Sequence, residues 1–161
     1  EGDYPAVMKE NIDKNSAQEG RNESRLPRFT KDQIEFVKGT YDFFSLNYYT
    51  SSTCKPGCNG ANPSWERDTA AISDCNPECP SDDKYFIPEG LTALLNWMKH
   101  EYNNPLVYIS ENGYPSTYEL NDGRRIKYIN DHLVALLKSI KEGAKIMGYS
   151  AWSLLDSFEL T

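Results

Sequence analysis

The succession of apolar segments from residue 42 onward constrains this chain more than any other feature. The run DFFSLNYY, rich in aromatics and bounded by Gly39 and a Ser/Thr/Cys/Pro/Gly stretch, reads as a buried strand near residues 42 to 49. Pro88 then stands at a first-turn position, and Leu91, Leu94, Leu95, Met98 and Tyr102 recur at helical spacing, which predicts an amphipathic helix ending near Tyr102. After Asn103-Asn104-Pro105 the run LVYIS reads as a second strand. A second helix is expected from about Gly123 to Glu142, with Ile126, Ile129, Leu133, Leu136, Leu137 and Ile140 on one face and Gly143 as its stop. KIMGYSAWSLL gives a third strand near residues 145 to 152. Strand, helix, strand, helix, strand is the order of an α/β fold with parallel strands.

Two architectures use that order. A dinucleotide-binding sheet needs a Gly-rich turn between strand and helix to admit a pyrophosphate, and none is present. A closed (β/α)8 TIM barrel typically takes ~250 residues, more than the 161 here. Three parallel strands would also leave two unpaired edges. The chain therefore reads as part of a barrel, a partial single domain over residues 1–161. Upstream, Thr30 and Gln33 form a capping box, with Phe29 and Ile34 placed for a hydrophobic staple, so a short helix is expected to run to about Lys38 and stop at Gly39. Residues 50–86 have no sustained period and many turn formers, and read as one long cysteine-bearing loop.

Charge narrows the ligand classes. A formal net charge of -7 without any long Lys/Arg cluster argues against a nucleic-acid or anionic-membrane partner, because such binding neutralises phosphates. No stretch approaches the ~20 apolar residues of a membrane span, and no charged-then-apolar leader opens the chain at EGDYP. Neutral ligands, carbohydrates among them, remain. Cys54, Cys58, Cys75 and Cys79 form two C-x3-C pairs. Their spacing suits structural zinc, but two disulfides stapling a surface loop in an oxidising compartment is the favoured reading, with the pairing open. Asn22-Glu23-Ser24 is the one N-glycosylation sequon.

The chemistry-bearing stretch is VYISENGYP, residues 107 to 115. Asn-Gly after a strand most often makes a hairpin, but a helix follows here instead of a partner strand. Glu111 then lies at the carboxyl end of a parallel strand, where barrels and open α/β sheets place ligands. Asn47 and Tyr49 end the first strand in the same way, and Trp152 the third.

Four motifs in order resemble family 1 glycoside hydrolases, the retaining β-glucosidases and their relatives. They are Asn47-Tyr48-Tyr49-Thr50, Pro88-Glu89-Gly90-Leu91 leading into Leu94-Leu95-Asn96-Trp97, Glu111-Asn112-Gly113, and Trp152-Ser153-Leu154-Leu155-Asp156-Ser157-Phe158-Glu159. The resemblance runs from Gly2-Asp3-Tyr4-Pro5 to the last residues and implies the sixth to eighth strands of a (β/α)8 barrel, acting on a small β-glycoside without a cofactor. It implies that Glu111 is the nucleophile of a covalent glycosyl-enzyme, that Tyr49 orients it, and that Asn47 shapes the polar end of the pocket. Trp152 would be the sugar platform and Glu159 the carboxylate binding two sugar hydroxyls. Trp97, Trp65, His100 and His132 read as structural, and Asp156 as a local anchor.

The pattern departs from the family in four places. The acid/base glutamate of a Thr-x-Asn-Glu-Pro motif has no counterpart, since the one Asn-Glu, Asn22-Glu23, lacks the Pro. The Gln, His and Asn sugar ligands of earlier strands are also missing. Leu160 follows Glu159 where a second tryptophan is common, and Ser81-Asp82-Asp83-Lys84 replaces an aromatic aglycone platform. The resemblance thus describes a C-terminal fragment whose partner is the missing N-terminal part of the same barrel, secreted, and inactive alone. A non-catalytic sugar- or receptor-binding barrel is the alternative, and an independent zinc domain a weaker third.

Overall fold

The computed structural model describes residues 2–58, 60–74, 86–115 and 120–155. They form two compact units, Glu1–Tyr41 with Ser52–Cys75 and Asp42–Ser51 with Asn76–Thr161.

In the first unit, helix α1 (Ala6–Gln18) packs against the short helix α3 (Trp65–Thr69), beside a helix α2 (Lys31–Val37) and a two-stranded antiparallel sheet, β2 (Thr53–Pro56) with β3 (Ala71–Asp74). The expected capping box forms: the Thr30 hydroxyl accepts from the Gln33 N–H, and the Gln33 side chain accepts from the Thr30 N–H. Phe29 stacks on Tyr4, with ring centroids 5.0 Å apart. Helix α1 has no strong apolar stripe. It is held by polar contacts: Asn15 Nδ2 donates to Asp68 Oδ1 at 2.9 Å and Asn11 Nδ2 to the Asp68 carbonyl at 3.2 Å. Arg25 closes the arrangement with a forked pair to Asp68, at 2.9 and 2.8 Å, which keeps the Asp68 carboxyl below its usual range. Part of the stretch read as one long loop is thus ordered, because Ser64 caps α3 and β2 pairs with β3.

The second unit carries the alternation. Strands β1 (Phe44–Asn47), β4 (Val107–Glu111) and β5 (Ile146–Tyr149) are parallel in the order β1-β4-β5, with α4 (Pro88–Glu101) and α5 (Gly123–Lys141) between them in sequence. Each new strand adds to the same edge. That is the progression of a barrel, whereas a doubly wound sheet reverses direction. Val107 and Ile109 of β4 join Leu91, Leu95 and Met98 of α4 and Leu136 of α5 in the core, so the helices cover one face of the sheet.

At the amino ends of the strands, Asn103 and Asn104 adopt left-handed φ values of 57° and 53°, a conformation asparagine tolerates. Asn104 Nδ2 donates to the Gly143 carbonyl at 3.0 Å, fastening the turn before β4 to the turn before β5. Gly39 and Gly143 stop their helices at φ 76° and 94°, as a residue without Cβ can.

The buried face of α5 differs from the expected stripe. Tyr128, His132, Ala135, Leu136 and Ser139 are buried, while Ile126, Leu137 and Ile140 are exposed. Leu136 alone is common to the two sets of fully buried and predicted positions. Tyr128 faces inward because it meets a polar cluster at the sheet's carboxyl end, His132 stacks on it, and the Ser139 hydroxyl is satisfied within the helix by the Ala135 carbonyl.

Candidate active site

The carboxyl end of the sheet is where alternation breaks. Along β1, Phe44 and Leu46 pack on the core while Asn47 is exposed, and the buried Tyr48 precedes the half-buried Tyr49. Along β4, Val107 and Ile109 pack on the core, and strict alternation would send Glu111 to the same side. A register irregularity intervenes: Leu46 pairs with Ile109, but Asn47 pairs with Glu111. One extra residue, Ser110, is accommodated, so Glu111 swings to the open face and Asn112 turns into the helix layer. A second irregularity, between Val107 and Tyr108, places Tyr108 opposite Gly148.

Glu111 and Tyr49 meet on the open face, where the tyrosine hydroxyl donates to Glu111 Oε2 at 2.6 Å. Tyr48 N–H donates to the Glu111 carbonyl at 2.9 Å, fixing the backbone from the same neighbouring strand. The Ser110 hydroxyl donates to Asn47 Oδ1 at 2.5 Å. That bond consumes an acceptor and orients the Asn47 amide nitrogen the other way. Trp152 leaves its side chain about half exposed, while its N–H donates to the Asn112 carbonyl at 2.9 Å. Sequence reasoning thus selected four side chains that the fold gathers at the ends of adjacent strands: Asn47, Tyr49, Glu111 and Trp152. Glu159, Asp156 and Leu160 lie outside the described residues, as do Ser81 to Lys84, Cys75 and Cys79.

Behind the site sits a group that the sequence reading missed. Asn112, of the Asn-Gly pair that a hairpin would have placed in its turn, is fully buried. Its Nδ2 donates to the Tyr48 carbonyl at 2.7 Å and to Tyr128 Oη at 3.0 Å, and its Oδ1 accepts from Tyr149 Oη at 2.8 Å. Tyr128 Oη in turn donates to the Tyr49 carbonyl at 2.6 Å. Burial pushes the Tyr128 and Tyr149 hydroxyls above their ordinary range, so both stay protonated donors. The available signal was the tyrosine at 128, a polar-tipped ring on a helix whose other apolar residues are all aliphatic. Gly113 is not a left-handed turn residue either. It is required because a Cβ there would lie 2.0 Å from the Trp152 carbonyl oxygen.

His132 is fully buried and donates from Nδ1 to the Tyr128 carbonyl at 2.8 Å, a structural histidine as expected. Trp97 and Trp65 are exposed on their helices. Cys54 and Cys58 carry exposed free thiols, so they are not bonded to each other. Among the described residues no three His, Cys, Asp or Glu side chains converge as a metal site, and no helix is long and apolar enough to cross a membrane.

A parallel sheet that grows along one edge, with a tyrosine-held carboxylate at its carboxyl end, has the layout of a segment of a β/α barrel. Sequence comparison agrees along the whole length: the glycosyl hydrolase family 1 pattern matches residues 1–161, and the chain belongs to that family. It is 42% identical to Myrosinase 1 of Brevicoryne brassicae and 40% identical to Beta-glucosidase 12 of Oryza sativa subsp. indica, over 98% of this chain in each case. Among solved structures, an aphid myrosinase superposes with a TM-score of 0.86 at 40% identity, covering 99% of this chain and 35% of that one. A rice Os3BGlu6 β-glucosidase gives 0.81 at 35% identity, covering 98% and 35%. The chain spans about a third of the length of the curated relatives it matches, 35% and 32% of these two. It is therefore a β-glucosidase-like portion of a (β/α)8 barrel.

Proposed function

We propose that this chain supplies the nucleophile side of a retaining β-glycosidase, as roughly the sixth to eighth strands of the barrel. The observation that carries the reading is the 2.6 Å hydrogen bond from Tyr49 Oη to Glu111 Oε2 at the carboxyl end of β4. A carboxylate held through one oxygen presents the other to the anomeric carbon. In the first step that oxygen bonds to C1 as the C1–O bond to the aglycone breaks, and a second carboxyl, ~5 to 5.5 Å away, gives its proton to the leaving oxygen. In the second step the same carboxyl takes a proton from water, whose oxygen displaces Glu111 and restores the original anomeric configuration. The Thr-x-Asn-Glu-Pro motif that carries this second carboxyl in the family does not occur in these 161 residues, and we assign that role to another part of the same barrel.

Trp152 would stack against the apolar C–H face of the sugar, while Asn47 and Glu159 would bind its hydroxyls, lending remote binding energy to orientation of C1. The β-glucosidase names among the relatives point to a β-glucoside as substrate, and the sequon at Asn22 suits a secreted protein. A 2-deoxy-2-fluoroglucoside inactivator applied to the full-length polypeptide tests this by peptide mapping. A covalent label on Glu111 is expected, and a label on any other carboxylate overturns the assignment. Reversible sugar binding without any label would favour a non-catalytic barrel.

A further inference from the structure

The Asn112 cluster is more than a set of buried bonds, because its direction is fixed. The Tyr48 and Tyr49 carbonyls can only accept. Asn112 must therefore turn Nδ2 toward Tyr48 O at 2.7 Å, since the flipped amide would bring two acceptors together. With Nδ2 so placed, Oδ1 receives the Tyr149 hydroxyl proton at 2.8 Å. The remaining N–H of Nδ2 goes to Tyr128 Oη at 3.0 Å, whose own proton goes to Tyr49 O at 2.6 Å. The result is a one-way relay, Tyr149 to Asn112 to Tyr128 to the Tyr49 backbone, which joins β5, β4, α5 and the end of β1. Both ends of the site hang from it. Tyr49 carries the hydroxyl that grips Glu111, and the Asn112 carbonyl accepts the Trp152 N–H at 2.9 Å.

We infer that Tyr128 directly, and Tyr149 through Asn112, are positioning residues that hold the Tyr49–Glu111 pair in attack geometry. The inference rests on Glu111 being the nucleophile. Tyr128 bears on the Tyr49 backbone directly, so loss of its hydroxyl frees that carbonyl and leaves one Asn112 N–H without its acceptor. Tyr149 acts one step further out, and loss of its hydroxyl leaves the other three bonds in place. The attacking oxygen is what moves, so the bond-forming step should suffer and ground-state sugar binding should not.

The test uses the full-length polypeptide, wild type and the variants Tyr128→Phe, Tyr149→Phe and Thr92→Val. The control, Thr92→Val, deletes a buried hydroxyl that bonds the Ala135 carbonyl at 3.3 Å between α4 and α5, away from the relay. Inactivation by the fluoroglucoside is read as its limiting rate constant and its half-saturating concentration, alongside the thermal midpoint. Tyr128→Phe is expected to lower the limiting rate constant about tenfold or more, as small misplacements of reacting groups do, with half-saturation unchanged. Tyr149→Phe should show a smaller loss in the same parameter, and it covers the case in which Tyr128→Phe does not fold. Thr92→Val should lower the midpoint alone. If both tyrosine variants label Glu111 at the wild-type rate and only their midpoints fall, the positioning role is overturned while the nucleophile stands. If the wild-type label maps to another carboxylate, the nucleophile assignment fails and the inference falls with it.

Discussion

Within the helix layer a single histidine ties stability to pH. His132 lies stacked on Tyr128, with centroids 4.0 Å apart, and edge-on to Phe86 at 5.6 Å. Its Nδ1 proton is committed to the Tyr128 carbonyl, and its buried Nε2 has no partner among the described residues. Protonating the ring would put a buried N–H where nothing accepts it, and burial accordingly holds the His132 pKa below 6.5. In the unfolded chain a histidine binds its proton near pH ~6.5. Below that pH the unfolded state binds more protons than the folded one, so stability falls as pH falls from there toward the folded value. Above it the histidine costs nothing. Thermal unfolding at stepped pH should show this loss, at most about 1.4 kcal/mol per pH unit for one group, and His132→Phe should flatten it. His100, the only other histidine, is exposed. An equal slope in His132→Phe would show that the loss arises elsewhere.

Elements were legible where local chemistry decides them. The Thr30 capping box, Pro88 at the start of α4, and Gly39 and Gly143 at helix stops are each dictated by a few neighbouring residues, and each stands where the sequence puts it. Helix α1 was not legible because it buries Ile12, Asn15 and Ser16, a mixed face with no apolar period. Nor was the buried face of α5, since Ile126, Leu137 and Ile140 carry the visible stripe while Tyr128 and His132 carry the packing. The break in alternation at Ser110 was equally hidden, being a property of two paired strands. Asn47, Tyr49, Glu111 and Trp152 could be picked out because each lies at or just past the end of a strand and fits a family motif. Asn112 could not, since what it bonds to comes from three separated parts of the chain.

Gly113 makes this pairing testable. Gly113→Ala forces a Cβ against the Trp152 carbonyl at 2.0 Å, so the segment leaving β5 must shift. We expect a cost of about 1–3 kcal/mol, as for other overpacked sites, together with weaker sugar binding because the indole moves. Gly123 meets nothing within 4 Å, and Gly123→Ala should be neutral or stabilise by about 0.4–1 kcal/mol through the unfolded state. Denaturant melts and sugar titrations of the two variants separate these outcomes; equal behaviour would remove the close-approach argument.

At the scale of the whole molecule, the sheet and the chemistry ask for the same thing. Among the described residues β1 and β5 each have one partner strand, and Phe43, Met147, Trp152, Leu154 and Leu155 are exposed. Open edges and apolar side chains of this kind drive association unless covered. The reaction asks for cover on that side too. Glu111 can attack C1 alone, but an alkoxide aglycone leaves poorly without a proton, and general acid catalysis typically contributes 10²- to 10⁴-fold, as an order of magnitude. Expressed by themselves, these 161 residues should therefore self-associate and should not turn over an alkyl β-glucoside. Sedimentation and a glucose-release assay measure the two halves. Release at the rate of the full-length polypeptide would mean that the proton comes from within this stretch, and would end the division of labour between nucleophile and acid on which the reading depends. A dinitrophenyl glucoside sharpens the comparison, because its leaving group needs no proton: any residual reaction should be confined to that substrate and should vanish in Glu111→Ala.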